Sequence, residues 1–171
     1  MNLATRIVVI GVGNEYRRDD GVGRAVVAGL AARTGDRALP SGTALRVCDG
    51  EPARLITLWE GADLAVVVDA AHAHPGHPGR VHRLEVDAAG LPGSGGPTSS
   101  HGLGLGEAVE LARALDRLPT RLVVYAVEGA DTAFGQGLST PVSAAVEPLA
   151  ERITRELTSH RRSLHDRTAP A

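Results

Sequence analysis

Three short runs rich in valine, isoleucine and leucine most strongly constrain the fold of this 171-residue chain. The runs are Arg6 to Ile10, Leu64 to Val68 and Leu122 to Val127, and each is followed by a glycine or an acidic residue. A strand with an almost continuous apolar run is buried on both faces, which is typical of a parallel sheet. The runs therefore predict the central strands of such a sheet, with other elements covering both of its faces.

Two further strands and four helices complete the predicted pattern. Ala44 to Cys48 is a short strand-like run, whereas Arg80 to Asp87 alternates in polarity, which favours an edge strand. Helical periodicity covers residues 22–30, 53–59, 105–115 and 140–157. Strands that alternate with helices predict a three-layer α/β sandwich, with a mostly parallel, twisted sheet of about five strands and helices on both faces.

Composition limits the classes of function. Residues 1–158 show no break in composition and are predicted to form one α/β domain, while residues 159–171 are predicted to be a disordered tail. The formal net charge of -2 provides no electrostatic drive toward nucleic acid or an anionic membrane. The sequence lacks a bilayer-spanning apolar run and a signal-peptide pattern, so we expect a cytoplasmic protein without membrane insertion. The single cysteine, Cys48, is expected to be a buried, inert thiol.

The segment from Gly11 to Gly23 places a glycine-rich turn and two adjacent carboxylates between a strand and a helix. A dinucleotide-binding turn has its third glycine where this chain has Tyr16, and the Lys-Ser/Thr pair of a phosphate-binding loop is missing. Asp19 and Asp20 would also repel a phosphate. The turn therefore favours a cation, or a catalytic carboxylate near a helix start, over a nucleotide.

Acidic residues follow the predicted strands, at the edge of a parallel sheet where ligands usually bind. These residues are Asp20, Asp49, Asp69 and Glu128. Asp19 is expected to cap the helix that begins near Gly21, which leaves Asp20 available for a second role. Asp69 follows an apolar strand and would be costly to bury unpaired, so we expect either a functional role or a structural partner such as an arginine.

His101 opens a glycine-dotted helical segment and is a candidate surface residue, general base or metal ligand. Combined with the carboxylates of Asp20 and Asp69, it completes a plausible metal or catalytic set. Imidazole and carboxylate ligands suit zinc, nickel or iron without selecting among them. The histidines at positions 72, 74, 77 and 82 lie in a turn-rich segment without the ligand spacing of a structural zinc site, so we expect them to be solvated.

Three separated motifs, in order and context, resemble those of the hydrogenase maturation endopeptidases. The motifs are GVGN and DDGVG at 11–23, VVVDA at 66–70 and SHGLGL at 100–105, and the likeness continues through LSTPV at 138–142. The resemblance implies an endopeptidase that removes the C-terminal extension of a nickel-iron hydrogenase large-subunit precursor after nickel insertion. The metal-contacting residues of the family correspond to Asp20, Asp69 and His101. The nickel ion belongs to the precursor, and no resident organic cofactor is expected.

The resemblance leaves the mechanism and the choice of substrate open. Nickel would act as a Lewis acid, activate water, or only position the bond while a carboxylate serves as base. The alternative function is a non-proteolytic metal-binding or sensing protein that uses the same trio. The hydrogenase large-subunit precursor is the expected partner, nucleic acid is not, and the chain is expected to be a monomer. Asp49-Gly50-Glu51-Pro52 replaces the Asp-Gly-Gly-Thr segment that is frequent in the family, which puts substrate choice in question.

Overall fold

A computed structural model describes residues 5–86 and 102–168, which contain a five-stranded sheet. The strands are β1 (Ile7–Val12), β2 (Thr43–Cys48), β3 (Leu64–Ala71), β4 (Val81–Val86) and β5 (Leu122–Glu128). Their order is β2-β1-β3-β5-β4. All neighbouring pairs are parallel except β4, which runs antiparallel to β5 at the edge. The predicted mostly parallel sheet is confirmed, and its edge strand, predicted over residues 80–87, is β4; residue 87 lies outside the described residues.

Helices cover both faces of this sheet, as the apolar runs predict. They are α1 (Val22–Ala31), α2 (Pro52–Trp59), α3 (Gly102–Ala114) and α4 (Thr140–Thr168). Helices α1 and α4 share one hydrophobic core with Ile7 and Val9, whereas α2 and α3 share the other with Val8 and Ile10. Successive residues of β1 therefore face opposite cores, which explains why the strand shows no polar alternation.

The C-terminal helix is longer than the sequence predicts. Residues 159–168 continue α4, so the prediction of a disordered tail is wrong for them, and residues 169–171 lie outside the described range. Leu164 follows the buried Leu157 by two helical turns and is itself partly buried. The Arg161 guanidinium also donates a hydrogen bond of 3.1 Å to the Ser41 hydroxyl. A helix that is packed against the core at its start can continue when only one of its faces is partly buried, even though its other faces are polar.

None of the helices in the described part of the chain is long and apolar enough to cross a membrane.

A network of charged side chains joins β4, β5 and α4. Arg83 donates hydrogen bonds to Glu85 at 3.1 Å and to Glu156 at 2.5 Å. Arg121 donates to Glu85 at 2.5 Å, and the Tyr125 hydroxyl donates to Glu156. The hydrogen bond from Arg121 is the main reason that the pKa of Glu85 falls to about 2. The edge strand is thus held by ionic contacts as well as by its backbone pairing.

We expect Glu85→Gln to lower the free energy of unfolding near pH 7 by about 1 kcal/mol, a value discounted for the partial exposure of this ion pair. Because folding lowers the pKa of Glu85, its contribution is present above about pH 4.5 and is lost as the pH falls toward 2. Urea unfolding of wild type and variant across this range measures the difference. The control is Glu110→Gln, which removes an exposed pair with Arg113. A Glu85→Gln difference that does not change with pH would contradict the expectation.

Candidate active site

The carboxyl ends of β1, β2, β3 and β5 lie at one edge of the sheet, because these strands are mutually parallel. Helix α3 also begins at this edge. A Cβ atom placed on Gly104 would lie 2.8 Å from the carbonyl oxygen of Gly50, directly after β2. Only a residue without a side chain permits that approach, so the glycine-dotted start of α3 seats the helix against the loop after β2.

The glycine turn after β1 wraps around Asp20. Gly13 has a φ of 129°, and a Cβ atom there would lie 1.9 Å from the Asp20 carbonyl oxygen. The Asn14 N–H donates a hydrogen bond of 2.8 Å to the Asp20 carboxylate. This backbone amide of the turn therefore binds a carboxylate of the same chain, where a phosphate-binding loop would offer it to a ligand. The turn positions Asp20, as its sequence spacing predicts.

Asp69 lies within the last residues of β3, with only 8% of its surface exposed. Burial and, to a smaller extent, the negative charge of Asp20 raise the pKa of Asp69 to about 7, against the opposing effect of a 2.8 Å hydrogen bond from the Ala70 N–H. Among the described residues, no arginine, lysine or histidine forms an ion pair with Asp69. Asp20 and Asp69 are thus brought together, without a cation from that part of the chain to neutralise them.

Asp19 does not cap α1, which corrects the sequence prediction. Residues Arg18–Gly21 form a short 3₁₀ turn, and the N-cap position of α1 is Gly21, without a side-chain capping bond. The fully buried Asp19 carboxylate instead accepts hydrogen bonds from the loop after β5. The donors are the N–H groups of Ala130 at 2.8 Å, Asp131 at 3.0 Å and Ser139 at 2.7 Å, and the Ser139 hydroxyl at 2.8 Å. Burial acts to raise the pKa of Asp19, but these bonds outweigh it and the pKa is lowered.

Glu128, at the end of β5, binds the histidine-containing segment. Its buried carboxylate accepts hydrogen bonds from the His77 N–H at 2.5 Å and pairs with His82 Nε2 at 2.6 Å. Burial acts to raise the pKa of Glu128, but these contacts lower it overall. Both contacts tie residues 77–82 to the sheet, and the expectation of a solvated side chain is wrong for His82, which is partly buried. Glu128 therefore has a structural role at this edge.

The segment after β2 also has a local structural role. Both carboxylate oxygens of Glu51 cap α2, accepting hydrogen bonds of 2.9 Å from the N–H groups of Ala53 and Arg54. Pro52 occupies the first turn of that helix, where its fixed φ is favourable. The Glu51-Pro52 pair, which departs from the family pattern, therefore starts α2. Asp49 is exposed and accepts a 3.3 Å hydrogen bond from the Glu51 N–H.

Cys48 is buried at the end of β2, as predicted. Burial raises the pKa of its thiol, and the negative charges of Asp49 and Asp69 raise it further. A thiol with a raised pKa remains protonated near neutral pH and is a poor nucleophile. The sequence expectation of an inert thiol agrees with this environment.

His101 lies outside the described residues, so its place in the trio stays a prediction. Helix α3 begins at the next residue, Gly102. Within residues 5–86 and 102–168, no three histidine, cysteine or acidic side chains cluster closely enough to hold a metal ion. The described site therefore consists of two carboxylates, Asp20 and Asp69, at the edge where α3 starts.

Several solved structures with this fold are peptidases that mature hydrogenases. The hydrogenase maturating endopeptidase HybD from E. coli is 25% identical, with 91% of this chain and 94% of that chain aligned and a TM-score of 0.73. The [NiFe] hydrogenase maturation protease HycI from Thermococcus kodakarensis KOD1 is also 25% identical, with 90% and 93% aligned and a TM-score of 0.64. An endopeptidase from Escherichia coli has the same fold at 23% identity, with 91% and 94% aligned and a TM-score of 0.75. A search of the curated proteins finds no match.

A family model described as HycI, hydrogenase maturation protease, matches residues 27–156. The chain therefore belongs to the hydrogenase maturation protease family, which confirms the resemblance seen in its motifs. It is a hydrolase that acts on a peptide bond.

The two neighbouring aspartates should differ in their effect on stability. We expect Asp19→Asn to lower the free energy of unfolding by about 2 kcal/mol or more, because an amide nitrogen would face N–H and O–H donors in a buried site. Asp20→Asn removes the same charge but disturbs one hydrogen bond, and should cost no more than about 1 kcal/mol. Urea unfolding near neutral pH measures both. Equal losses of stability would contradict the assigned role of Asp19.

Proposed function

We propose that this protease removes the C-terminal extension of a nickel-iron hydrogenase large-subunit precursor after nickel has been inserted. One observation carries the proposal: at the sheet edge where ligands usually bind, the charge of Asp20 acts on the buried Asp69, and no cation from the described residues pairs with Asp69. In a family of hydrogenase maturation proteases, a metal ion brought by the substrate is the group that fits between them.

Asp20, Asp69 and His101 are the residues that we assign to the nickel ion of the precursor. Burial and the charge of Asp20 both make an ionised Asp69 unfavourable in the free protein. A divalent cation would offset both effects, because it attracts the two carboxylates at once. Three protein ligands also leave coordination positions for the ligands of the precursor. Cleavage would then depend on metal loading of the substrate.

The reaction is the attack of water on the carbonyl carbon of the scissile peptide bond, with a proton passing from the water to a base and then to the leaving amine. Nickel bound near that carbonyl would stabilise the developing negative charge on its oxygen. A carboxylate that binds the metal loses basicity, because the cation favours its ionised form. We therefore assign Asp69 to nickel contact and to positioning of the bond, in preference to the role of general base.

The alternative of a non-proteolytic metal-binding or sensing protein uses the same trio. Membership of a protease family favours the hydrolase. We also propose that the protein acts as a monomer. Its proposed location is the cytoplasm, where precursor polypeptides would receive their metal before assembly.

Co-expression with hydrogenase large-subunit precursors, with and without nickel, tests this proposal through the mass of each precursor. We expect a loss of mass that corresponds to a C-terminal peptide, and only for nickel-loaded precursor. If no nickel-loaded precursor loses mass, the proposed substrate is wrong. Equal cleavage without nickel would contradict the role of the metal.

Substitution of the trio tests the assigned residues. Asp20→Asn, Asp69→Asn and His101→Ala should each slow processing by at least about 100-fold, because each removes a contact to the metal. Far-ultraviolet circular dichroism checks that the fold is retained. The control is Asp36→Asn, an exposed acid in the turn between α1 and β2, which should process at the wild-type rate. A trio variant that processed precursor as fast as this control would remove that residue from the site.

A further inference from the structure

Half of the aromatic side chains of this protein are exposed. The chain contains one Trp, two Tyr and one Phe. Trp59 and Tyr125 are fully buried, whereas Tyr16 is 58% exposed and Phe134 is 80% exposed. Aromatic side chains are enriched at protein interfaces. Since this chain has so few of them, two exposed ones indicate a surface with a role in binding. Tyr16 lies on the loop that leads to Asp20, and Phe134 lies on the loop after β5 that binds Asp19.

Backbone hydrogen bonds hold these two loops together. The Gly135 N–H donates to the Tyr16 carbonyl at 2.9 Å, and the Arg18 N–H donates to the Gly135 carbonyl at 3.0 Å. These bonds form a parallel bridge between Arg17 and Gly135. The aromatic residues are therefore mounted on backbone that is already ordered. A partner would not have to order this backbone on binding, which lowers the entropic cost of association.

Arg17 adds an available positive charge. Its guanidinium carbon lies 4.5 Å from the centre of the Phe134 ring, which places the cation over the face of the ring. In contrast to Arg18, which pairs with Asp131 at 3.4 Å, Arg17 forms no ion pair with a carboxylate of residues 5–86 or 102–168. A stacked guanidinium still presents N–H donors along its edge. The surface thus suits an apolar side chain beside a carboxylate.

Hydrogen bonds connect the surface formed by Tyr16, Arg17 and Phe134 to Asp20. The Asp20 N–H donates to the Arg17 carbonyl at 3.0 Å, and the Tyr16 N–H donates to the Asn14 side chain at 2.9 Å. Asn14 in turn donates its N–H to the Asp20 carboxylate. A protein bound at Tyr16, Arg17 and Phe134 would therefore lie beside Asp20, one of the residues that we assign to the metal.

A cleft of about 280 Å³ continues this surface toward α1. Its lining combines the apolar side chains of Ala25, Ala28 and Leu138 with the charged groups of Glu15, Arg18 and Arg24. The cleft extends the accessible surface beyond the two aromatic rings. It makes the area suitable for a segment of polypeptide and not only for one side chain.

We propose that Tyr16, Arg17 and Phe134 form a docking surface for the hydrogenase large-subunit precursor, which contacts it with an apolar side chain next to a carboxylate. This inference rests on the proposed function, because the precursor is the partner that must reach Asp20 and Asp69. The aromatic rings supply apolar contact area. The positive charge of Arg17 complements the carboxylate of the precursor, which makes binding sensitive to salt.

The test measures the affinity of purified protein for nickel-loaded precursor by titration calorimetry, together with the rate of processing. We expect Phe134→Ala to weaken binding by at least about tenfold and to raise KM, with kcat at saturating precursor unchanged. Phe134→Tyr, which keeps the ring, should restore most of the affinity. Arg17→Gln should weaken binding and reduce its dependence on salt. The control is Leu115→Ala, which removes a 51% exposed apolar side chain after the end of α3.

The outcomes separate this inference from the proposed function. If wild type processes precursor and Phe134→Ala binds it with unchanged affinity, the docking surface is wrong while the proposed function stands. If wild type neither binds nor processes any nickel-loaded precursor, both are wrong. Sedimentation velocity adds a further check, because a wild-type dimer that Phe134→Ala dissociates would show that the surface binds a second copy of this chain.

Discussion

The buried carboxylate of Asp19 is the interaction on which the arrangement of the site depends. It joins the loop after β1 to the loop after β5 through three backbone N–H groups and the Ser139 hydroxyl. An ionised group without solvent is stable only when several donors surround it, and these donors fix both loops relative to the sheet. Asp20, the next residue along the chain, is positioned by the same anchor. The exposed Tyr16 and Phe134 lie on the same two loops.

Counting only partners from the described residues, the site combines one carboxylate with four hydrogen-bond donors, Asp19, and two with fewer donors, Asp20 and Asp69. Asp19 accepts four hydrogen bonds, and its pKa is lowered. Asp69 accepts one from the Ala70 N–H, and burial together with the charge of Asp20 raises its pKa. The first arrangement stabilises the fold, whereas the second leaves negative charge unneutralised by the described residues. A substrate metal that neutralises it would connect recognition of the precursor to cleavage.

Much of this architecture could be predicted because the apolar runs specify buried parallel strands, whose carboxyl ends must meet at one edge. That rule brings Asp20 and Asp69 together. The role of Asp19 could not be predicted, since its partners lie more than a hundred residues away and include backbone groups of Ala130 and Asp131. The helix over residues 159–168 could not be predicted either, because the sequence of a polar helix that is anchored along one face resembles that of a solvated tail. His101 remains a sequence prediction.

X-ray absorption at the nickel edge tests the central claim, that Asp20 and Asp69 together contact the metal of the precursor. The sample is nickel-loaded precursor alone and in complex with the His101→Ala variant, which is expected to bind without cleaving. In the complex, nickel should gain oxygen neighbours, and adding Asp20→Asn and Asp69→Asn to the variant should remove them. An unchanged nickel environment in a complex shown to have formed would contradict the claim.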